Sequence, residues 1–183
     1  GCICGGEKRN SGFCCGDSWQ TTPCGGEIYY LDVNGDDSNN GSAFKPWKSL
    51  RSAVSKVKPG DTILINPGKY VEKKQISIKI SGKNDMPIII RGNGKGAFID
   101  LSECPSRNGF EIHFVNHIII ENLTVCASKV KGSRGIRLTH SNGSIIRNNT
   151  VYGAGHANLF CSLSNNTSFE GNEAYDGAIG VYV

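Results

Sequence analysis

GFEIHF (residues 109–114), GIRLTH (135–140), NLFCSL (158–163) and AIGVYV (178–183) are four versions of one short segment. A second set, IIIENLTV (118–125), SIIRNNTV (144–151) and TSFEGNEA (167–174), alternates with the first. Members of the first set begin 26, 23 and 20 residues apart, and each second segment begins 9 residues after its partner. A repeat of this length marks a solenoid, whose units are too small to bury an apolar face alone and must stack on their neighbours. Both sets alternate apolar and polar residues with a period of two, and Asn-Gly or Asn-Asn stands at the corners. The sequence therefore predicts an all-β parallel β-helix. On this pattern a fourth rung needs a second strand starting near residue 187, whereas the sequence runs to Val183. Ile179, Val181, Tyr182 and Val183 are accordingly expected to form an open edge, with unpaired backbone groups that can take a further strand.

Upstream, residues 88–91 read as a strand continued by 97–100, and residues 75–80 alternate Ile76, Ile78 and Ile80 inward with Ser77 and Lys79 outward. PGDTILINPGKY (59–70) supplies a strand over 62–65 and a Pro-Gly turn. Before it, Pro46 opens a helix near 46–58 that puts Trp47, Leu50, Val54 and Val57 on one face and is stopped by Pro59-Gly60. Such a helix suits the end of a solenoid, which otherwise exposes apolar side chains and unpaired strands. Trp47 is thus read as a packing residue of the lid. A strand-like run, 28–33, and an Asn/Asp/Gly/Ser loop lead into it. The division is a Cys-rich head, 1–26, and a β-helix with its capping helix, 27–183.

Eight cysteines in 183 residues point to an oxidising, extracellular setting. Cys2, Cys4, Cys14, Cys15 and Cys24 crowd the head, which lacks apolar periodicity and needs staples rather than a core. Five is odd, so Cys104, Cys126, Cys161 and a second chain are all open as partners. C-x-C and an adjacent Cys-Cys do not match the paired knuckles of zinc sites. Asn40, Asn122, Asn142, Asn148 and Asn165 begin N-x-[ST] sequons, read either as glycan acceptors or simply as corner residues of the solenoid. No apolar run approaches the roughly 18 residues of a membrane span, and nothing resembles a nucleic-acid module.

The succession YYLDVNGDDSNNGSAFKPWKSLRSA (29–53), PGDTILINPGKY (59–70) and PIIIRG (87–92) resembles the opening of the secreted right-handed parallel β-helix proteins of the pectate-lyase-like superfamily. The likeness covers roughly residues 28–183 and leaves the head outside. It implies a right-handed coil and leaves activity open, because that superfamily holds lyases, hydrolases, epimerases and non-enzymatic surface proteins. Polysaccharide lyases of this fold need a base, often Lys or Arg, and commonly a Ca2+ held by carboxylates on neighbouring coils.

Lys129, Lys131 and Arg134, in the loop CASKVKGSRG (126–135), are the candidates for such a base, against the plain reading that an inter-coil turn is polar because it is exposed. Glu111, Glu121 and Glu170 stand singly in the repeats, with Arg137 and Arg147 between them, so no carboxylate stack for calcium is visible. Asp32, Asn34, Asp36 and Asp37 lack the Gly and Glu of an EF-hand and read as an Asx-stabilised turn; a structural Ca2+ there is the one cofactor the sequence leaves open. His113, His117, His140 and His156 lack ligand spacing, and Tyr152, Tyr175 and Tyr182 do not share a rung position. The net charge of +4 and the lysines 69, 73, 74, 79 and 83 fit either an acidic glycan or the protection of exposed strands. The expectation is a structural extracellular protein that binds itself head to tail through its open rung, not an enzyme. The alternative is a fragment of a polysaccharide-binding protein or lyase acting on acidic glycans.

Overall fold

The computed structural model describes the backbone of residues 2–4, 7–9, 12–16 and 18–183, and the side chains of residues 12–16 and 18–183. Two hairpins open the chain: β1 (Cys2–Cys4) with β2 (Glu7–Arg9), and β3 (Phe13–Cys15) with β4 (Ser18–Gln20). β5 (Ile28–Leu31) and a one-turn helix α1 (Leu50–Ala53) precede the first coil. Five coils of three strands follow: β6 (Thr62–Ile65), β7 (Gly68–Val71) and β8 (Ile76–Ile78); β9 (Ile88–Gly92), β10 (Ala97–Asp100) and β11 (Asn108–His113); β12 (Ile118–Glu121), β13 (Thr124–Cys126) and β14 (Arg134–Thr139); β15 (Ile145–Arg147), β16 (Thr150–Tyr152) and β17 (Ala157–Ser162); β18 (Ser168–Glu170), β19 (Glu173–Tyr175) and β20 (Ile179–Tyr182). Like strands pair in parallel to give three sheets: β5-β6-β9-β12-β15-β18 (first), β7-β10-β13-β16-β19 (second) and β8-β11-β14-β17-β20 (third).

Stacking like on like builds the core. Ile63, Ile90, Ile120, Ile146 and Phe169 lie in register up the first sheet, and Ile76, Phe110, Ile136, Leu159 and Val181 up the third. Each second-set segment folds as two strands, because Asn122, Asn148 and Gly171 adopt left-handed φ values of 58°, 54° and 57° and turn the chain from the first sheet into the second. Residues 97–100 likewise belong to the second sheet and do not continue 88–91. A one-residue corner leaves no gap in the hydrophobic pattern, so periodicity alone reads through it. Asn suits this conformation because its short polar side chain tolerates it.

Beside that corner a buried amide ladder ties the coils together. Asn149 Oδ1 accepts from the Leu123 amide (3.0 Å) while its Nδ2 donates to the Ile120 carbonyl (2.9 Å). One coil on, Asn172 Oδ1 accepts from the Asn149 amide (3.0 Å) and its Nδ2 donates to the Ile146 carbonyl (2.7 Å).

The register of the last repeat differs from the sequence alignment. Leu159 pairs with Val181 and Phe160 with Tyr182, so the fourth segment matches the third from Gly180, two residues later than AIGVYV suggests. A slip of two keeps every side chain on its face, so the apolar pattern cannot detect it.

The lid is shorter than the expected helix. Ser49 caps α1 by accepting from the Ser52 amide, and after Ala53 the chain tightens into i→i+3 turns, with Ser55 and Lys56 amides donating to Ser52 and Ala53. Ser and Val are weak helix formers, and the spacing of three between Val54 and Val57 suits the tighter turn. Trp47, Leu50, Val54 and Val57 are all buried against the core. Trp47 stacks on Tyr29 at 4.7 Å and donates Nε1–H to the Asn39 carbonyl (2.7 Å). A Cβ on Gly41 would sit 2.7 Å from the indole, so this position (φ +80°) admits only glycine.

Cys15 and Cys24 form a disulfide, and Cys14 is disulfide-bonded as well. Cys2 and Cys4 lie where only the backbone is described, so their pairing falls outside the described side chains. Cys104, Cys126 and Cys161 are free thiols, which corrects their place among the disulfide candidates. Cys161 lies in register with Leu138 and packs in the core as a small hydrophobe.

Two stability predictions follow from this geometry. Asn149→Ala orphans the Leu123 amide and the Ile120 carbonyl, and chemical denaturation should show a loss of about 1–3 kcal/mol per buried group left unpaired. Leu163 is 72 % exposed yet holds a φ of 51°, at a corner where Phe114 and His140 hold 53° and 51°. Leu163→Asn should raise stability by up to about 1 kcal/mol, since Asn tolerates the left-handed region and no burial is lost; an unchanged or lower melting temperature would contradict this account.

Candidate functional site

On the third sheet the outward positions form columns running across the strands. One column reads Ser77, Glu111, Arg137, Phe160 and Tyr182; beside it stand Asn108, Arg134 and Ala157. Arg134 and Arg137 are partly exposed while Gly135 and Ile136 between them are buried, and a Cβ on Gly135 would lie 2.6 Å from the Asn158 carbonyl oxygen.

The electrostatics of this face are one-sided. Glu111 takes hydrogen bonds from Arg137 Nη1 and Asn108 Nδ2 and is the only acid in its column. The Arg134 guanidinium lies 4.4 Å from the centre of the Phe160 ring, whose other neighbour is Tyr182, stacked at 5.0 Å and 4°. Burial, then the positive charge of Arg137, lowers the Arg134 pKa from its ordinary value, with the nearby Arg107 adding to it and Glu111 opposing. Arg134 stays a cation at neutral pH, since guanidinium does not deprotonate in proteins. Among the described residues Arg134 Nε, Arg137 Nε and Asn108 Oδ1 have no hydrogen-bond partner.

Toward the lid the same sheet opens into a groove of about 780 Å³ whose lining includes Arg51, Lys74, Lys79, Gln75 and Ser77 and no carboxylate. Groove and arginine face share the Ser77 column, so a positive track runs along the third sheet.

Of the three base candidates, only Arg134 reaches this track. Lys129 and Lys131 stay exposed on the connector, and Lys129 borders a shallow depression with Gly155 and Asp176. Asn108, Arg137, Phe160 and Arg51 are not among the candidate site residues read from the sequence, whereas Lys74 and Lys79 belong to the lysine cluster read there as fitting an acidic glycan. The outward parity of Arg137 in GIRLTH was the available signal, but pairing it with Glu111 and Phe160 requires the register.

The glutamates do not form one series. Glu121 and Glu170 occupy a first-sheet column that runs Arg91, Glu121, Arg147, Glu170, and Glu121 is buried between ion pairs with Arg91 and Arg147. On the second sheet Tyr152 and Tyr175 do share a rung position, stacked at 5.0 Å, which corrects the expectation that they do not. Stacked rings present their edges outward, which makes a poor platform for a sugar face.

The acidic loop is engaged by backbone donors. Asp32 accepts from the Asn34 amide (2.9 Å), Asp36 from the Ser38 amide (2.8 Å), and Asp37 from the amides of Lys48 (3.0 Å) and Ser49 (2.9 Å). Burial pushes the Asp37 carboxyl up, but these bonds outweigh it and hold its pKa below the ordinary value. Among the described residues no cluster of three His, Cys, Asp or Glu side chains is arranged to hold a metal. His140 stacks on Phe114 at 4.4 Å. Asn40, Asn122, Asn142, Asn148 and Asn165 are all exposed, and the left-handed φ of Asn122 and Asn148 fits their corner role. Among the described residues no helix is long and apolar enough to cross a membrane.

The three-sheet parallel coil defines a class of fold, and the comparison with known proteins agrees with it. The chain belongs to the Pel9A-like family, right-handed beta helix region, whose model matches residues 29–178. It is 38% identical over 82 residues to pectate lyase L of Dickeya dadantii (strain 3937), covering 41% of this chain and 19% of that protein. It is 29% identical over 138 residues to the uncharacterized protein YwoF of Bacillus subtilis (strain 168), covering 70% of this chain and 29% of that one. Among solved structures it superposes on a rhamnogalacturonan lyase with a TM-score of 0.61 at 18% identity (86% of this chain, 56% of that one). On pectate lyase Pel9A the TM-score is 0.53 at 20% identity (82% and 48%). At these identities the structural likeness shows the fold alone. The chain spans about a fifth of the length of the pectate lyase L it matches.

Phe160→Leu keeps the apolar area and removes the ring under Arg134. It should cost about 0.5–1 kcal/mol in denaturant unfolding, the size of an exposed cation–π contact. The Arg134 Nε–H resonance should also exchange faster with water; unchanged exchange would show that the ring does not hold the guanidinium.

Proposed function

We propose that this segment binds an acidic polysaccharide along the outer face of the third sheet, within an extracellular polysaccharide-acting protein. The observation that carries this is the charge imbalance: Arg107, Arg137 and a single acid, Glu111, surround Arg134, and the Glu111 carboxylate is already occupied by Arg137 and Asn108. Arg134 is left a half-buried cation without a carboxylate partner among the described residues, over an aromatic ring that fixes its plane. A planar guanidinium so held is suited to take a uronate carboxylate in a forked pair. The groove of Arg51, Lys74 and Lys79 extends the positive surface along the same line, as a polyanion requires. Proteins named as lyases of pectate and rhamnogalacturonan are among those it resembles, and both names denote acidic glycans.

Lyase chemistry beside a uronate needs its carboxylate neutralised and its neighbouring proton removed. Arg134 and Arg137 serve the first task. Lys129 and Lys131 are rim charges that attract the chain. End-to-end assembly rests on the position of the last strand alone, which is no argument in a chain that spans a fraction of its relatives' length.

Titration with polygalacturonate tests the reading. Arg134→Ala and Arg137→Ala should each weaken binding roughly 10- to 100-fold, as expected for charged hydrogen bonds of about 1.5–3 kcal/mol. Lys129→Ala and Lys131→Ala should change it less than about fivefold, as exposed charges do. Binding should weaken with added salt. An Arg134→Ala/Arg137→Ala double variant with unaltered affinity would sink the proposal.

A further inference from the structure

The hairpin β3-β4 does not lie flat on the coils. It roofs a cleft of about 670 Å³ over the outer face of the first sheet, on a different face from the arginine track. The floor is apolar: Ile119 and Ile145 are neighbours in one outward column, with Pro87 beside them. Phe13 and Trp19 form the roof. Hydrogen-bonding groups ring the rim, among them Asn84, Gln20, Asn122 and His117. The roof is anchored, since Cys15 of the hairpin is bonded to Cys24 and Arg91 Nη2 donates to the Thr21 carbonyl (2.8 Å).

We infer that this cleft is a second carbohydrate site, which takes an uncharged pyranose ring. A pyranose offers an apolar C–H face and an equatorial rim of hydroxyls, and the cleft matches both, with an indole and two isoleucines for the face and amides for the rim. Its volume falls within the roughly 300–1,000 Å³ of small-molecule sites. Trp supplies a large amphipathic surface of the kind found where one side of a ligand is apolar and the other wet. The charges at its edge are spent on one another: Glu121 gives one oxygen to Arg91 and the other to Arg147, and Arg91 is further tied to Thr21. Two arginines against one glutamate leave a single net positive charge at the rim, but each of these groups is already tied within the protein, whereas Arg134 on the third sheet has no carboxylate partner among the described residues. The sole task of shielding Ile119 and Ile145 from water would be met better by a hairpin packed directly onto them, with no open volume between.

The test follows tryptophan fluorescence of the whole chain during titration with cellobiose, xylobiose, mannobiose and galactobiose, and with digalacturonate as the charged comparison. The chain has two tryptophans, and Trp47 is buried in the lid, so a ligand-dependent change reports Trp19. A saturable change with a neutral disaccharide is expected; titration calorimetry, which needs no indole reporter, should show the same affinity weakened at least tenfold in Trp19→Ala and in Ile145→Trp, which fills the floor from outside the core. Arg134→Ala should leave it unchanged, which separates this site from the acidic-glycan face. No response to any of the four neutral sugars, a response to digalacturonate alone, or binding that survives both cleft variants would overturn the inference.

Discussion

Everything in this molecule depends on in-register stacking of like residues between coils. A single coil has three short strands and no interior of its own. Its inward side chains become a core only when the next coil places an apolar residue directly above, as in the series Tyr29, Ile63, Ile90, Ile120, Ile146 and Phe169. Parallel pairing supplies the backbone bonds, and the amides of Asn149 and Asn172 supply them where the corner breaks the ladder. Lid and core are likewise one problem: Leu31 bridges to Trp47, so the first strand of the stack also seats the residue that closes it.

The same constraint explains what was legible in the sequence. GFEIHF, GIRLTH and NLFCSL declare themselves because stacking forces position-by-position similarity, and the strand 62–65 and the buried face of the lid follow from alternation and spacing. What escaped was whatever alternation does not record. The corner at Asn122 is invisible to a hydrophobic pattern, β7 hides behind a Pro-Gly turn, and the final repeat is displaced by a slip of two that preserves every face. Tyr152 and Tyr175 do not line up in the sequence for the same reason, since their shared column becomes visible only once β16 is paired with β19.

The candidate site was less legible than the fold because it is made by columns, not by a motif. Ser77, Glu111, Arg137, Phe160 and Tyr182 come from five coils and are brought to one line by the register. Arg134 was visible as part of a basic loop, but its separation from Lys129 and Lys131 depends on its place in β14, paired with Asn108 and Ala157, while the two lysines stay on the connector. Sequence showed which residues carry charge, and only the stacking showed which charges meet.

Stacking also imposes a rule on charge that the two charged faces treat differently. Equivalent outward positions on neighbouring coils lie about 4.8 Å apart, where like charges repel and opposite charges attract. The first sheet obeys this, alternating Arg91, Glu121, Arg147 and Glu170, and its charges are spent internally. The third sheet obeys it for one pair, Glu111 and Arg137, but Arg134, three residues earlier on the same strand, has only Asn108 and Ala157 at its level on the neighbouring coils and rests against an aromatic ring. An arrangement that served stability alone would place an acid there. A cation left without an acid at the neighbouring positions is the pattern expected where a ligand completes the structure, and it is the ground on which an anionic ligand is proposed.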